Sequence, residues 1–178
     1  MLHVLDLVVN AVEAGAGTIR VVVDEDPDRD RLTIRAADNG RGMSPGLLDA
    51  VLGRLRSARP GRRRPIGLGL ALLRQTAEMC GGCFRVVSRP GRGTLVTARM
   101  RYDHIDRPPL GDFAGTAFDL VIGNPRTGLR LTHRRGDRAH TFDSRSVRRA
   151  LGDAGLLQSP EVMRWVRRQL EEGERGLE

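Results

Sequence analysis

The sequence predicts an α+β protein that combines amphipathic helices with antiparallel strand pairs. Three observations support this class: an apolar stripe at helical spacing near the start, a β-branched segment followed by an alternating one, and glycine- and proline-rich breaks between elements. The 178-residue chain is 39% hydrophobic, which is enough to form a core. Only 3% of its residues are aromatic, so aliphatic side chains must build that core.

The first predicted elements are a helix and a β-hairpin. Residues 2–14 are expected to be helical because apolar side chains recur at i, i+3, i+4 and i+7 from Leu5, and Gly15 follows as a helix stop. Residues 18–24 are rich in β-branched side chains, and residues 32–36 alternate between apolar and polar. The polar turn between these two strands predicts an antiparallel pair.

The middle of the chain predicts two helices and a second pair of strands. Ser44 is a cap residue followed by a first-turn proline, so a short helix is expected over residues 45–52. A second helix is expected over residues 67–81, which begin and end with glycine. Residues 84–88 and 94–101 are predicted strands, separated by a turn rich in glycine and arginine.

Beyond residue 101 the sequence predicts a small, separate α+β domain. The boundary is placed at residues 102–112, because consecutive prolines there cannot continue a central strand. The predicted elements are strands over 118–122, 129–135 and 139–142, and helices over 144–151 and 160–172. His133 and His140 are interpreted as ordinary hairpin residues. We therefore assign residues 1–101 to one domain and residues 102–178 to an accessory domain of unknown role.

Polar residues and glycines suited to nucleotide chemistry recur in the first 101 residues. On the first helix, polar side chains at positions 3, 6, 10 and 13 fall within an arc of roughly 80°. The other motifs are the loop Asp38-Asn39-Gly40-Arg41-Gly42-Met43, the helix start Gly67-Leu68-Gly69-Leu70, and Gly93-Thr94 at the last strand. Taken singly, these motifs are equally consistent with a solvated helix face, a turn and packing glycines.

In this order and spacing the motifs resemble the histidine kinase-like ATPase (GHKL) superfamily, whose nucleotide site is the Bergerat fold. The resemblance covers about residues 2–101 and implies a two-layer α/β sandwich with a mixed, mostly antiparallel sheet under helices. It also implies that the protein binds ATP and Mg²⁺. Asn10 matches the family's Mg²⁺-binding asparagine, and Asp38 matches the aspartate that reads adenine. The other positions expected to bind the nucleotide are Glu13, Gly40, Gly42, Met43, Arg59, Arg62, Gly67, Leu68, Gly69, Leu70 and Thr94.

Two further features bear on the chemistry that the resemblance implies. Asp6 lies four residues before Asn10, where hydrolysing members such as mismatch-repair ATPases carry the glutamate that activates water. Asp6 is therefore a candidate general base, although it is one methylene shorter than glutamate. Residues 53–65 hold six arginines at the position of the family's ATP lid. They could bind the triphosphate, or they could form a solvated loop.

These observations predict a protein that binds Mg-ATP and acts as a slow ATPase or an ATP-gated regulatory switch in signal transduction. One alternative is a protein kinase that phosphorylates a partner protein, like the anti-sigma factor kinases. No two-helix phosphoacceptor segment precedes the first helix, so self-phosphorylation is not expected. The other alternative is an adaptor or nucleic-acid-binding protein that acts through residues 102–178. There the helix with Trp165 is interpreted as a packing face or a homodimer face.

The charge distribution bears on the partner and the cellular location. The net charge is +8, and residues 51–101 hold 12 arginines against one acidic residue. Residues 102–178 are nearly neutral, with 13 arginines against 12 acidic residues, which argues against nucleic-acid binding by this half. No apolar run approaches the roughly 18 residues of a membrane span. We therefore expect a soluble cytoplasmic protein with no membrane partner.

Overall fold

The computed structural model describes residues 2–57 and 68–177. Its elements in chain order are α1 (Leu2–Glu13), β1 (Thr18–Asp26), β2 (Arg31–Asp38), α2 (Pro45–Ser57), α3 (Leu68–Met79), β3 (Cys83–Arg89), β4 (Gly93–Met100), α4 (Phe113–Gly123), β5 (Gly128–Arg135), β6 (Arg138–Asp143), α5 (Ser144–Leu151), a 3-10 helix (Ala154–Gln158) and α6 (Pro160–Arg175). The six strands form one sheet in the order β3-β4-β2-β1-β5-β6. Every neighbouring pair is antiparallel except β1 and β5, which are parallel.

The sheet buries one face against the helices. On β1, Ile19, Val21 and Val23 are fully buried, whereas Arg20 between them is exposed. Because side chains alternate along a strand, the buried set defines one face of the sheet. Aliphatic side chains from the helices complete the core, among them Val8 of α1, Leu73 of α3 and Leu170 of α6. The predicted α+β class, with a mixed sheet and helices, is therefore confirmed.

The prediction of a strand over residues 118–122 was wrong, because this segment belongs to α4. The helix begins at an N-cap, Asp112, whose carboxylate accepts the N–H of Gly115 at 2.8 Å. Phe118 and Leu120 are both buried in α4, so apolar side chains cover much of this helix. A short apolar run has no clear periodicity, and periodicity alone cannot separate a buried helix from a buried strand.

The structure does not show the separate C-terminal domain that we predicted. β5 pairs with β1 over residues 128–135, and α4 and α6 contribute to the same core as α1. The consecutive prolines, Pro108 and Pro109, lie in the connection between β4 and α4, where no strand has to continue. Parallel pairing joins strands that are distant in sequence through a long crossover, so local sequence carries no signal for it.

The last helix packs through its apolar stripe. Val166 and Leu170 of α6 are buried, whereas Trp165 is 47% exposed and lies outside that stripe. The predicted packing face is thus formed by Val166 and Leu170. Among the described residues, no helix has both the length and the apolar character needed to cross a membrane.

Candidate functional site

Helix α1 contacts two segments that carry the predicted site residues. An ideal Cβ on Gly69 would lie 2.3 Å from Asp6 Oδ2 and 2.4 Å from Asp6 Cβ, so only glycine allows this approach of α3 to α1. Just beyond the end of α1, the carbonyl of Ala14 accepts the N–H of Arg41 at 2.9 Å. Asn10 is half-buried and lies between these two contacts along α1. The helix therefore links the start of α3 to the loop that follows β2.

Asp38, the last residue of β2, carries a half-buried carboxyl group. Its Oδ1 accepts the N–H of Gly40 at 2.8 Å, and the backbone N–H of Thr94 also hydrogen-bonds to the carboxylate. Burial raises the pKa of Asp38, and the two N–H donors oppose that rise without cancelling it. The next residue, Asn39, ties the loop to β1, because its Oδ1 accepts the N–H of Thr18 at 2.8 Å.

Two glycines with positive φ hold the loop against the turn between β3 and β4. Gly93 has φ +82°, and an ideal Cβ there would lie 1.9 Å from the carbonyl oxygen of Asp38. Gly42 has φ +63°, and its Cβ would lie 2.0 Å from the carbonyl oxygen of Arg89. Since a side chain is excluded at both positions, the backbones of residues 38–43 and of the turn stay in close contact.

Ser88 is part of this arrangement, and our sequence reasoning missed it. Its Oγ accepts the N–H of Met43 at 2.9 Å, donates to the carbonyl of Gly93 at 3.0 Å, and lies 2.9 Å from Thr94 Oγ1. Ser88 pairs with Thr94 across the antiparallel ladder. Because side chains alternate along a strand, Ser88 lies on the same face of β3 as Val86. This alternation is the sequence signal that could have identified Ser88.

The remaining predicted positions are distributed between the described and undescribed parts of the chain. Glu13 is exposed near the end of α1, Leu68 begins α3, and Leu70 is half-buried in the same helix. The predicted positions outside the described residues are Arg59, Arg62 and Gly67. Within the described ranges, no group of three or more His, Cys, Asp or Glu side chains is arranged to hold a metal ion.

Comparison with known proteins gives matches at the family and fold level. The model of the family described as histidine kinase-, DNA gyrase B- and HSP90-like ATPase matches residues 2–104. The sensor histidine kinase ZraS of Klebsiella oxytoca is 37% identical over 95 residues, which are 52% of this chain and 20% of that protein. The histidine protein kinase DivJ of Caulobacter vibrioides is 39% identical over 100 residues, which are 54% of this chain and 17% of that protein.

These relatives are much longer than the matched region, since the chain spans about a fifth of their length. Among solved structures, the MutL ATPase domain of Aquifex aeolicus in complex with ADP aligns with a TM-score of 0.46 at 17% identity. That alignment covers 84% of this chain and 67% of the MutL chain.

Proposed function

The chain belongs to the histidine kinase-, DNA gyrase B- and HSP90-like ATPase family, and we propose that it is a slow Mg-ATP hydrolase whose nucleotide state acts as a switch. ATP binding is the property that follows from family membership. The observation that carries the proposal is the contact between Asp6 and Gly69, because it brings a carboxylate to the start of α3. The half-buried carboxyl of Asp38, at the other end of α1, supports the nucleotide assignment.

We assign the adenine to the region of Asp38 and Thr94. A carboxylate held by backbone N–H groups is a fixed acceptor, and the exocyclic amino group of adenine is a donor. The hydroxyl groups of Ser88 and Thr94, 2.9 Å apart, supply further hydrogen-bonding capacity beside it. Gly40 and Gly42 leave backbone without a side chain next to this carboxyl group.

We assign the triphosphate to the start of α3. The first N–H groups of a helix have no partner within the helix and favour an anion, so residues 67–70 suit phosphate. Arg59 and Arg62 are proposed to neutralise the phosphates through bidentate contacts. The amide oxygen of Asn10 would be an appropriate ligand for Mg²⁺, and the bound ion would help to neutralise the phosphate charge. Met43 and Glu13 are proposed to border the same site.

In the proposed hydrolysis, Asp6 acts as the general base. Its carboxylate takes a proton from a water molecule while the water oxygen bonds to the γ-phosphorus. The bond between that phosphorus and the β–γ bridging oxygen breaks, and ADP leaves with inorganic phosphate. Asp6 is half-buried against Gly69, so the packing of α1 on α3 fixes its position.

The proposal is tested by measuring phosphate release from γ-labelled ATP with Mg²⁺. We expect Asp6→Asn to lower the rate by about 100-fold or more, because a general base contributes a factor of that size. The dissociation constant for ATP should change little, since the amide keeps the shape of the carboxylate. The matched control is Asp119→Asn, which removes an exposed carboxylate from α4 and should leave both quantities unchanged.

Two results would contradict this function. If titration with Mg-ATP shows no binding at millimolar concentration, the nucleotide assignment fails. If Asp6→Asn releases phosphate as fast as the unsubstituted protein, Asp6 is not the base.

A second candidate rests on the relatives, which are named a sensor histidine kinase and a histidine protein kinase. In that case the γ-phosphoryl group passes to a hydroxyl or imidazole of a partner protein, with the side-chain proton leaving as the new bond to phosphorus forms. Counting protein-bound label in the same reactions, with candidate partners added, distinguishes transfer from hydrolysis.

A further inference from the structure

The face of the sheet opposite the helices carries a cluster of arginines. Within the strands, the regular register places six arginines on this one face: Arg20, Arg35, Arg85, Arg99, Arg130 and Arg134. Arg31 and Arg89 lie on the same side at the ends of β2 and β3, and Arg31 is paired with Asp26 at 2.8 Å. We call this side of the sheet, on which Arg20 lies, the open face. These six arginines are all exposed. They come from five different strands, so only the folded sheet brings them together.

The positive charge of the open face is only partly balanced within the described chain, where Arg145 and, more weakly, Arg130 lower the pKa of Asp143. Three aspartates share the face: Asp24, Asp26 and Asp143. Asp26 is paired with Arg29 and Arg31, and Asp143 is paired with Arg145 at 3.1 Å. Asp24 is in register with Arg134, and Asp143 is in register with Arg130. Among the described residues, none of the six arginines makes an ion pair or a side-chain hydrogen bond. The face therefore has a surplus of unpaired positive charge.

The arginines are close neighbours and form two groups. Across the ladder, Thr97 of β4 lies opposite Arg35 on one side and Arg85 on the other, and Arg99 follows two residues along the strand. Arg35 and Arg85 are thus two strands apart, about 9.6 Å, and Arg99 lies diagonally to both, so their like charges repel across that distance. The second group includes Arg20 and Arg130, which are in register on β1 and β5. An anionic partner would remove this repulsion.

An apolar pair borders the first arginine group. Val87 and Leu95 are opposite each other on β3 and β4, and they are 39% and 40% exposed. Ala37 follows in the same row on β2. With about 4.8 Å between neighbouring strands, the six strands span roughly 24 Å from the first to the last, enough for a short segment of another protein.

We propose that the open face binds an acidic segment of a partner protein. Charge complementarity selects an anionic occupant, and the row of Val87, Leu95 and Ala37 suits aliphatic side chains interspersed among its carboxylates. A protein is favoured over single-stranded nucleic acid because the residues of the open face on the described strands include no aromatic side chain on which bases could stack. The inference is independent of the proposed ATP hydrolysis.

The test uses a fluorescein-labelled, 20-residue peptide of glutamate with leucine at every fourth position, titrated with the whole protein and followed by fluorescence anisotropy. We expect the triple variant Arg35→Gln, Arg85→Gln, Arg99→Gln to weaken binding by about tenfold or more, because it removes one arginine group. The matched control is Arg149→Gln, Arg164→Gln, Arg168→Gln, which removes three exposed arginines from α5 and α6 and should have little effect.

A second variant, Arg20→Gln with Arg130→Gln, tests the other group and keeps the inference open to refutation if the triple variant fails to fold. Far-UV circular dichroism and urea denaturation of each variant report whether the fold is intact. The proposal is overturned if the peptide does not bind, or if variants on the open face and on the helices weaken binding equally. It is also overturned if a 20-nucleotide oligothymidylate binds more tightly than the peptide.

Discussion

At the residue scale, His133 is the position whose environment the sequence conceals. We expected an ordinary hairpin residue, but His133 is buried, with Nε2 2.9 Å from Glu25 and Nδ1 2.7 Å from Glu174. Its ring stacks on Phe113 at a centroid distance of 4.8 Å. Burial alone would lower the pKa of His133, but hydrogen bonds to the two carboxylates outweigh it and raise that pKa to about 9. The imidazolium thus joins β1, β5 and α6.

This environment makes the stability of the protein depend on pH. The folded-state pKa of His133 is about 9 and the ordinary value is 6.5, so its stabilising effect is complete below pH 6.5 and is lost as pH rises through 9. We expect His133→Gln to lower the free energy of unfolding by about 2 kcal/mol at pH 6 and by much less at pH 9.5. Urea denaturation at the two pH values measures this difference.

The control for the pH experiment is His104→Gln, in the connection after β4. This variant should lose stability between pH 6 and pH 9.5 by the same amount as the unsubstituted protein. If His133→Gln destabilises the protein equally at both pH values, His133 contributes by packing and not as a cation.

At the scale of elements, the close contact between α1 and α3 positions the candidate site. Gly69 is the second residue of α3, and Asp6 occupies the space that any larger residue would fill. The sequence motif predicts that Gly69 binds phosphate. The structure adds a packing requirement at the same position, so one glycine brings together two candidate functional segments.

We expect Gly69→Ala to destabilise the protein by about 1–3 kcal/mol, because the new methyl group forces the two helices apart. The matched control is Gly46→Ala at the second residue of α2, where an added Cβ meets no atom within 4 Å. There we expect a gain of about 0.5–1 kcal/mol, since alanine is the better helix former. Urea denaturation of both variants gives the comparison, and equal effects would show that α1 and α3 separate without cost.

At the scale of the whole molecule, the continuous sheet connects both halves of the chain. β1 pairs with β2 on one side and with β5 on the other, so residues 102–177 complete the sheet that residues 2–101 begin. β1 is therefore an interior strand, and its buried side chains belong to a core shared by helices from both halves.

We expect the two halves to unfold together. Trp165 in α6 is the only tryptophan of the sequence, so its fluorescence reports on the C-terminal half, whereas far-UV circular dichroism reports on all elements. In urea the two signals should give the same midpoint and slope, as a single cooperative transition requires. Fluorescence that changes at a clearly lower urea concentration than the dichroism would instead support an independent accessory domain.

The sequence by itself determined the helices and strands with regular periodicity, the aliphatic core and the family-like order of motifs around Asn10, Asp38 and Gly69. These properties depend on residues that are close in the chain, where side-chain alternation, caps and glycine turns act locally. Only the tertiary structure decided that β5 joins β1, that residues 118–122 are helical, and that Glu25, His133 and Glu174 meet. Each of these outcomes depends on contacts between distant residues, whose energies are realised only when the whole sheet and its helical layer have formed.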